Sequence, residues 1–271
     1  MEPVLFFDHV SFSYHSVQGE TTAISDLTFS IQEGDFTVLV GPSGCGKSTL
    51  LSLACGLLKP EAGSIQLFGH SPDLRKKTDV KKNPSSAVPS TVIGYMFQKD
   101  HLFEWRTLYQ NAMLGPELHK KNTPEIQEQV TDMIKAYGLT DFHNRHPSSL
   151  SGGMRQRAAL IRTLAIKPDL LLLDEPFSAL DYQTRIEVAE DITALIRQTG
   201  KTVLMVTHDL SEAISVADRI LVLTRRPTHL KADLRISFPN GITSAAERRS
   251  HPCFSEYYNR LWKEMKNNAD V

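Results

Sequence analysis

Gly41-Pro42-Ser43-Gly44-Cys45-Gly46-Lys47-Ser48-Thr49 matches G-x-x-x-x-G-K-[ST] at every fixed position. Val38-Leu39-Val40 before it reads as a short buried strand, and Thr49 to Ala54 after it as a helix. That strand–loop–helix setting is what the motif needs. Its glycines let consecutive backbone N–H groups curl toward a polyphosphate, and the helix N-terminus adds partial positive charge. Lys47 is placed to reach the β- and γ-phosphates, and the Ser48 hydroxyl to ligate Mg²⁺. Cys45, beside Lys47 and a helix start, is expected to carry a thiol of lowered pKa. G-x-G-x-x-G is absent from the loop, which excludes a dinucleotide fold and leaves a nucleoside triphosphate as the ligand.

A chain of 271 residues can hold one large domain or two modest lobes. With 41% hydrophobic residues and a formal charge of −1, it has the balance of a soluble globular protein and no basic excess pointing to nucleic acid. No apolar run approaches the ~20 residues that span a bilayer. Met1-Glu2-Pro3-Val4 lacks the basic start and apolar core of a signal peptide. Cys45, Cys55 and Cys253 show neither paired nor metal-ligand spacing, so a reducing cytoplasm is expected.

Val4 to Tyr14 alternates as a strand should, and Leu27 to Ile31 and Phe36 to Val40 follow around the turn Glu33-Gly34-Asp35. Tyr14 near the first strand's end either stacks on a base or stands as an exposed strand tyrosine. After a strand from Ser64 to Phe68, residues 70 to 91 carry Arg75, Lys76, Lys77, Lys81 and Lys82, as a solvated loop or an anionic contact. Val92 to Phe97 reads as a strand ending at Gln98. From there to Leu150 the period changes to ~3.6, with Ile126, Val130, Met133, Ile134 and Tyr137 on one helical face. This helical insertion divides the architecture into two lobes. Ser151-Gly152-Gly153 opens another helix.

Asp169 to Leu173, an aspartate followed by leucines, suits a fully buried parallel strand and ends in Asp174-Glu175. A helix from about Asp181 to Arg197 precedes the strand Thr202 to Val206, which ends at Thr207-His208. A short helix and strands from Arg219 to Thr224 and from about Leu230 to Phe238 complete the core. Phe254, Tyr257, Tyr258, Leu261, Trp262 and Met265 share one face of a final helix, which packs on its own domain or in a partner's groove.

Asp174 sits where a carboxylate can meet Mg²⁺ below the phosphate loop, and Glu175 where a charge can polarise water for in-line attack. Gln98 and His208 each end a predicted strand. Carboxyl ends of parallel strands converge on one crevice, so both side chains could reach the γ-phosphate. N-K-x-D is absent, which favours ATP over GTP, with Tyr14 as an adenine platform. In Leu150-Ser151-Gly152-Gly153-Met154-Arg155-Gln156-Arg157, a serine and two glycines at a helix start make a second anion-binding concavity. Lys47 already serves the chain's own phosphates, so this second concavity suits a phosphate belonging to another subunit.

In these motifs and their order, the chain resembles ABC-transporter ATP-binding subunits over nearly its full length. The shared elements are the phosphate loop, Gln98, L-S-G-G-M-R-Q-R, L-L-L-L-D-E-P and His208. The resemblance implies an α/β fold: a P-loop NTPase core of mixed, mainly parallel sheet with flanking helices, plus an antiparallel β subdomain and a helical subdomain. It divides one ATP-binding domain into a β/RecA-like lobe (about 1–98 and 167–240), a helical subdomain (about 99–166) and a helical tail (about 241–271).

By the same resemblance Tyr14 stacks on adenine, Gln98 links Mg²⁺ to the membrane partner, Glu175 is the general base and His208 the switch at the γ-phosphate. Ser151, Gly152, Gly153 and Gln156 form the signature. Ser178-Ala179-Leu180-Asp181 matches the loop that crosses between subunits. Two copies sandwich two ATP molecules head to tail, which implies a homodimer with ATP and Mg²⁺ as cofactors. Within the family, Leu102-Phe103-Glu104-Trp105-Arg106-Thr107, Arg225-Arg226-Pro227 and Phe254 to Trp262 resemble the nitrate/sulfonate/taurine importer branch, although relatives usually carry proline at Glu104. The implied setting is the cytoplasmic face of a membrane, on permease subunits served by a solute-binding protein. The alternatives are the ATPase of an exporter and a soluble ABC ATPase acting on ribosomes or DNA. The latter usually has two cassettes in one chain or a long coiled-coil insertion, and neither is found in this sequence.

Overall fold

The computed structural model of the chain describes residues 2–17, 19–72, 92–178, 180 and 182–266. They group into two compact units, Met1–Thr91 with Gly200–Val271, and Val92–Thr199.

The first unit holds an antiparallel sheet in which β1 (Leu5–Ser16) lies between β2 (Gly19–Ile31) and β4 (Ala62–Leu67). Alternation along β1 turns Phe7 inward, where it stacks on Phe29 across the ladder at 4.6 Å. The register shifts between Phe7 and Val10. There His9 takes φ 50 and its amide donates to the Thr28 hydroxyl at 2.9 Å, as a bulge requires. Strand β2 starts at Gly19 rather than Leu27, because Glu20, Thr21 and Thr22 pair with His15, Tyr14 and Ser13. Residues 19–22 are exposed, so no alternation marks this end of the strand.

In the same unit β3 (Phe36–Val40) is flanked in parallel by β7 (Thr202–Thr207) and β8 (Arg219–Leu223), with β9 (Leu230–Arg235) antiparallel to β8. Every residue of β3 and β7 is buried, the condition under which parallel strands lose alternation and read as apolar runs. Helix α1 (Lys47–Ala54) follows β3 through the phosphate loop, and α7 (Leu210–Val216) follows β7. The tail forms α8 (Ala245–Ser250) and α9 (Pro252–Lys266). It packs on its own unit: Leu261 is fully buried, and the Tyr257 hydroxyl donates to the Ser237 carbonyl at 2.9 Å. Trp262, from the expected apolar face, stands 54% exposed. Six residues are too few for periodicity to reveal α8. Arg248 anchors it, donating to the Ala217 carbonyl at 2.7 Å and lying over the Phe238 ring.

The second unit pairs β5 (Ile93–Met96) in parallel with β6 (Leu170–Asp174). Its helices are α2 (Leu108–Ala112), α3 (Leu114–Leu118), α4 (Pro124–Ala136), α5 (Gly152–Leu164) and α6 (Tyr182–Thr199). Pro124 opens α4, where its missing N–H costs nothing, and the expected face buries Val130 and Ile134. The lysine-rich run from 73 to 91, Ala179 and Asp181 lie outside the described residues. Among those described, no helix is long and apolar enough to cross a membrane.

Candidate active site

The phosphate loop leaves β3 and closes onto α1. Gly44 (φ 74) and Gly46 (φ 111) take left-handed conformations open to glycine, and Gly46 caps α1. A Cβ at Gly41 would stand 2.9 Å from Cys45 Sγ and 3.0 Å from Leu223 Cβ, so the first glycine answers to crowding. Lys47 is 5% exposed, and its Nζ donates to the Gly41 and Pro42 carbonyls at 2.9 and 3.1 Å. The loop therefore carries a buried ammonium along its own curve. Thr228 fastens it from outside, donating its hydroxyl to the Cys45 carbonyl. Pro42, Ser43, Gly44, Cys45, Arg225 and Arg226 line a concavity of about 630 Å³. The Tyr14 hydroxyl meets the Thr49 hydroxyl at 3.0 Å, which places this 44% exposed ring beside the start of α1.

The expectation of a lowered Cys45 pKa is overturned. Cys45 is 2% exposed, and burial pushes its thiol up, outweighing the charges of Lys47 and Arg226 and the Lys47 backbone N–H. Maleimide at neutral pH is therefore expected to label Cys253, the more exposed of the three thiols, well before Cys45. Mass spectrometry of a labelling time course checks the order, and faster modification of Cys45 would contradict it.

His208 follows β7 and is exposed. Its neighbours hold it in place: Thr207 donates to Glu212 Oε2 at 2.5 Å, and Asp209 caps α7 by accepting from Ser211 and Glu212 amides at 2.8 and 3.1 Å. Val40 and Thr207 are register partners, so the phosphate loop and His208 leave the same end of adjacent parallel strands.

In the second unit, Asp174 ends β6 and is 7% exposed. Glu175 takes φ 44, an uncommon conformation for a residue with a side chain. Its carbonyl accepts from the Ser178 amide and hydroxyl at 3.1 and 3.0 Å, which holds the turn. Met96 pairs with Leu173, so Gln98 and Glu175 each follow that register pair by two residues, and Gln98 Nε2 donates to Glu175 Oε2 at 3.1 Å.

Ser151 caps α5 by accepting from the Met154 amide at 3.3 Å. A Cβ on Gly153 would lie 2.8 Å from Thr184 Cγ2, so α5 and α6 approach closely only with glycine here. Gly152 opens the helix, whereas Gln156 is 3% exposed and turned into the protein, its Oε1 without a hydrogen-bond partner among the described residues. The structure thus brings Tyr14, residues 41–49 and His208 together in one unit, and Gln98, Asp174, Glu175 and Ser151–Gln156 in the other.

Sequence reasoning missed Asn111. It is fully buried, accepts from the Phe103 amide at 2.8 Å and donates to the carbonyls of Phe103, Arg106 and Thr107 at 3.0–3.2 Å. It fixes the loop on which Phe103 and Trp105 stack at 4.7 Å, with Trp105 73% exposed. Nothing in the sequence distinguishes it from any surface asparagine.

The family model for the ABC transporter matches residues 24–178. The ABC transporter ATP-binding protein YtlC of Bacillus subtilis (strain 168) is 38% identical over 96% of this chain and 95% of its own length. The taurine import ATP-binding protein TauB of Jannaschia sp. (strain CCS1) is 35% identical over 88% of this chain and 84% of its own. The nitrate import ATP-binding protein NrtC of Synechococcus elongatus is 40% identical over 82% of this chain, which corresponds to 32% of that longer protein. Among solved structures, the ATP-binding cassette MJ0796, a dimer bound to ADP and Pi after hydrolysis, superposes with a TM-score of 0.72. It is 28% identical, over 86% of this chain and 99% of that one. The chain belongs to the ABC transporter family as an ATP-binding subunit that hydrolyses ATP, with its likeness in the nitrate and taurine importer branch.

Proposed function

We propose that this ATPase works as a homodimer on separate transmembrane permease subunits, at the cytoplasmic face of the membrane. There it powers uptake of a small anionic or zwitterionic solute of the nitrate, sulfonate or taurine kind, delivered by a solute-binding protein. The observation that carries the reading is the likeness, over most of the chain, to relatives named for taurine and nitrate import.

The glycine-lined loop and buried Lys47 fit a triphosphate, and Ser48, Gln98 and Asp174 each carry an oxygen donor of the kind Mg²⁺ takes. Mg²⁺ held by these residues would supply charge neutralisation to the phosphates. Within the protein, Tyr14 supports the adenine and Lys47 holds the phosphates. Glu175 takes the proton of the attacking water, its carboxylate oriented by Gln98, and His208 contacts the γ-phosphate. Ser151, Gly152 and Gly153 contact the nucleotide held by the second copy.

Trp105, exposed on a clamped loop, is the proposed anchor for a short permease helix. The test is reconstitution in proteoliposomes with permease subunits of the taurine or nitrate import kind, measuring ATP hydrolysis and solute movement with taurine, an alkanesulfonate or nitrate. Import of one of these, with stimulated hydrolysis, is expected. Trp105→Ala is expected to weaken association by ~2 kcal/mol, about 30-fold in Kd, with basal hydrolysis kept. Efflux would instead mark an exporter ATPase, and ATP turnover stimulated by ribosomes or DNA alone would mark the soluble class.

A further inference from the structure

We propose that Arg155 is a positioning residue: with Asp100 and Glu104 it ties the start of α5 to the loop bearing Trp105, so that a nucleotide phosphate held at Ser151-Gly152-Gly153 changes the surroundings of that tryptophan. The inference rests on the proposed role of those three residues toward a second copy's nucleotide.

The geometry is a chain of short contacts. Ser151 caps α5, and Arg155 lies one turn further on. Arg155 grips Asp100 with both arms of its fork, Nε to Oδ2 at 2.8 Å and Nη2 to Oδ1 at 3.1 Å, and Nη2 also reaches Glu104 Oε1 at 2.9 Å. A planar guanidinium bound at two points fixes orientation as well as distance, which a lysine ammonium does not. Seven residues along the same face of α5, Arg162 donates to the carbonyls of Asp100 and His101 at 2.6 and 2.7 Å. Two arginines of one helix therefore hold the loop by its backbone and its side chains.

The far end is equally constrained. Asn111 bonds to Phe103, Arg106 and Thr107, and Trp105 stacks on Phe103 at 14° between planes. Charge supports the clamp. Partial burial pushes the Asp100 carboxyl up, but the Arg155 hydrogen bond, the Leu102 amide and the charges of Arg155 and Arg162 hold it below its ordinary value. Isolated exposed ion pairs contribute little, whereas forked, linked pairs transmit position.

Trp105 and Trp262 are the two tryptophans of the sequence, so Trp262→Phe leaves Trp105 as the sole indole reporter. The experiment follows Trp105 emission and its quenching by acrylamide with and without MgATP, in that background with Glu175→Gln to retain nucleotide. A MgATP-dependent change is expected in the parent. It should be lost in Glu104→Ala and Arg155→Ala and reduced in Arg155→Lys, which keeps the charge without the fork. Melting curves and MgATP affinity of Glu104→Ala should match the parent, which a merely stabilising role would not combine with a lost response. Should Arg155→Ala not fold, Glu104→Ala and Arg155→Lys decide the matter. A full response in both, or a parent that binds MgATP with Trp105 unmoved, overturns the clamp while the ATPase reading stands. A parent that binds no MgATP removes the site assignment and the clamp with it.

Discussion

Glu175→Gln is expected to lower ATP hydrolysis by at least ~100-fold, the loss typical of removing a positioned base, while ATP binding survives. The substitution keeps the side chain's shape and its hydrogen bond with Gln98, so the turn at φ 44 and the contacts from Ser178 are retained. What disappears is the group that can take a proton from water attacking the γ-phosphate. With the chemical step blocked, ATP-loaded dimers should accumulate and elute early on a sizing column. Steady-state hydrolysis and bound-nucleotide stoichiometry of the purified variant check this. Turnover at the parent rate would take Glu175 out of the mechanism.

The second large effect comes from dividing one site between two chains. Lys47→Ala removes a buried ammonium from the phosphate loop, and Ser151→Arg places bulk and charge at the cap of α5. Each variant alone should lose activity on the scale of ~10²–10³-fold expected when a preorganised phosphate contact is removed. Mixed, they should regain activity, because one mixed pairing unites an intact phosphate loop with an intact Ser151-Gly152-Gly153. That pairing contains at most one competent site per dimer. Parent specific activity should also rise with protein concentration, since assembly follows mass action. Demonstrably monomeric protein with full turnover, or a mixture as dead as its components, would falsify the shared site.

The local elements were legible for a local reason. The phosphate loop, its strand and its helix are contiguous, and their conformation follows from glycine placement and from the apolar run of Phe36–Val40. The cap at Ser151 and the buried strand ending in Asp174 are likewise written in neighbouring residues. Where periodicity was absent the reading fell short. The exposed first four residues of β2 show no alternation, and α8 is shorter than two helical turns.

By itself, the sequence determined a strand–loop–helix that carries the triphosphate-binding motif, and a second glycine-rich helix start capped by Ser151. Both rest on backbone geometry that short runs of residues dictate. Only the tertiary structure decided which distant side chains meet and which are desolvated. Gln98 and Glu175, 77 positions apart, become hydrogen-bond partners because β5 and β6 run parallel in register. The clamp of Arg155 on Asp100 and Glu104 depends on how α5 lies against the loop, and Trp105 stands in solvent because Asn111 and Phe103 hold that loop from within. Cys45, whose neighbours in sequence favour a thiolate, is instead a buried thiol, because desolvation is set by everything packed around a group and not by its neighbours along the chain.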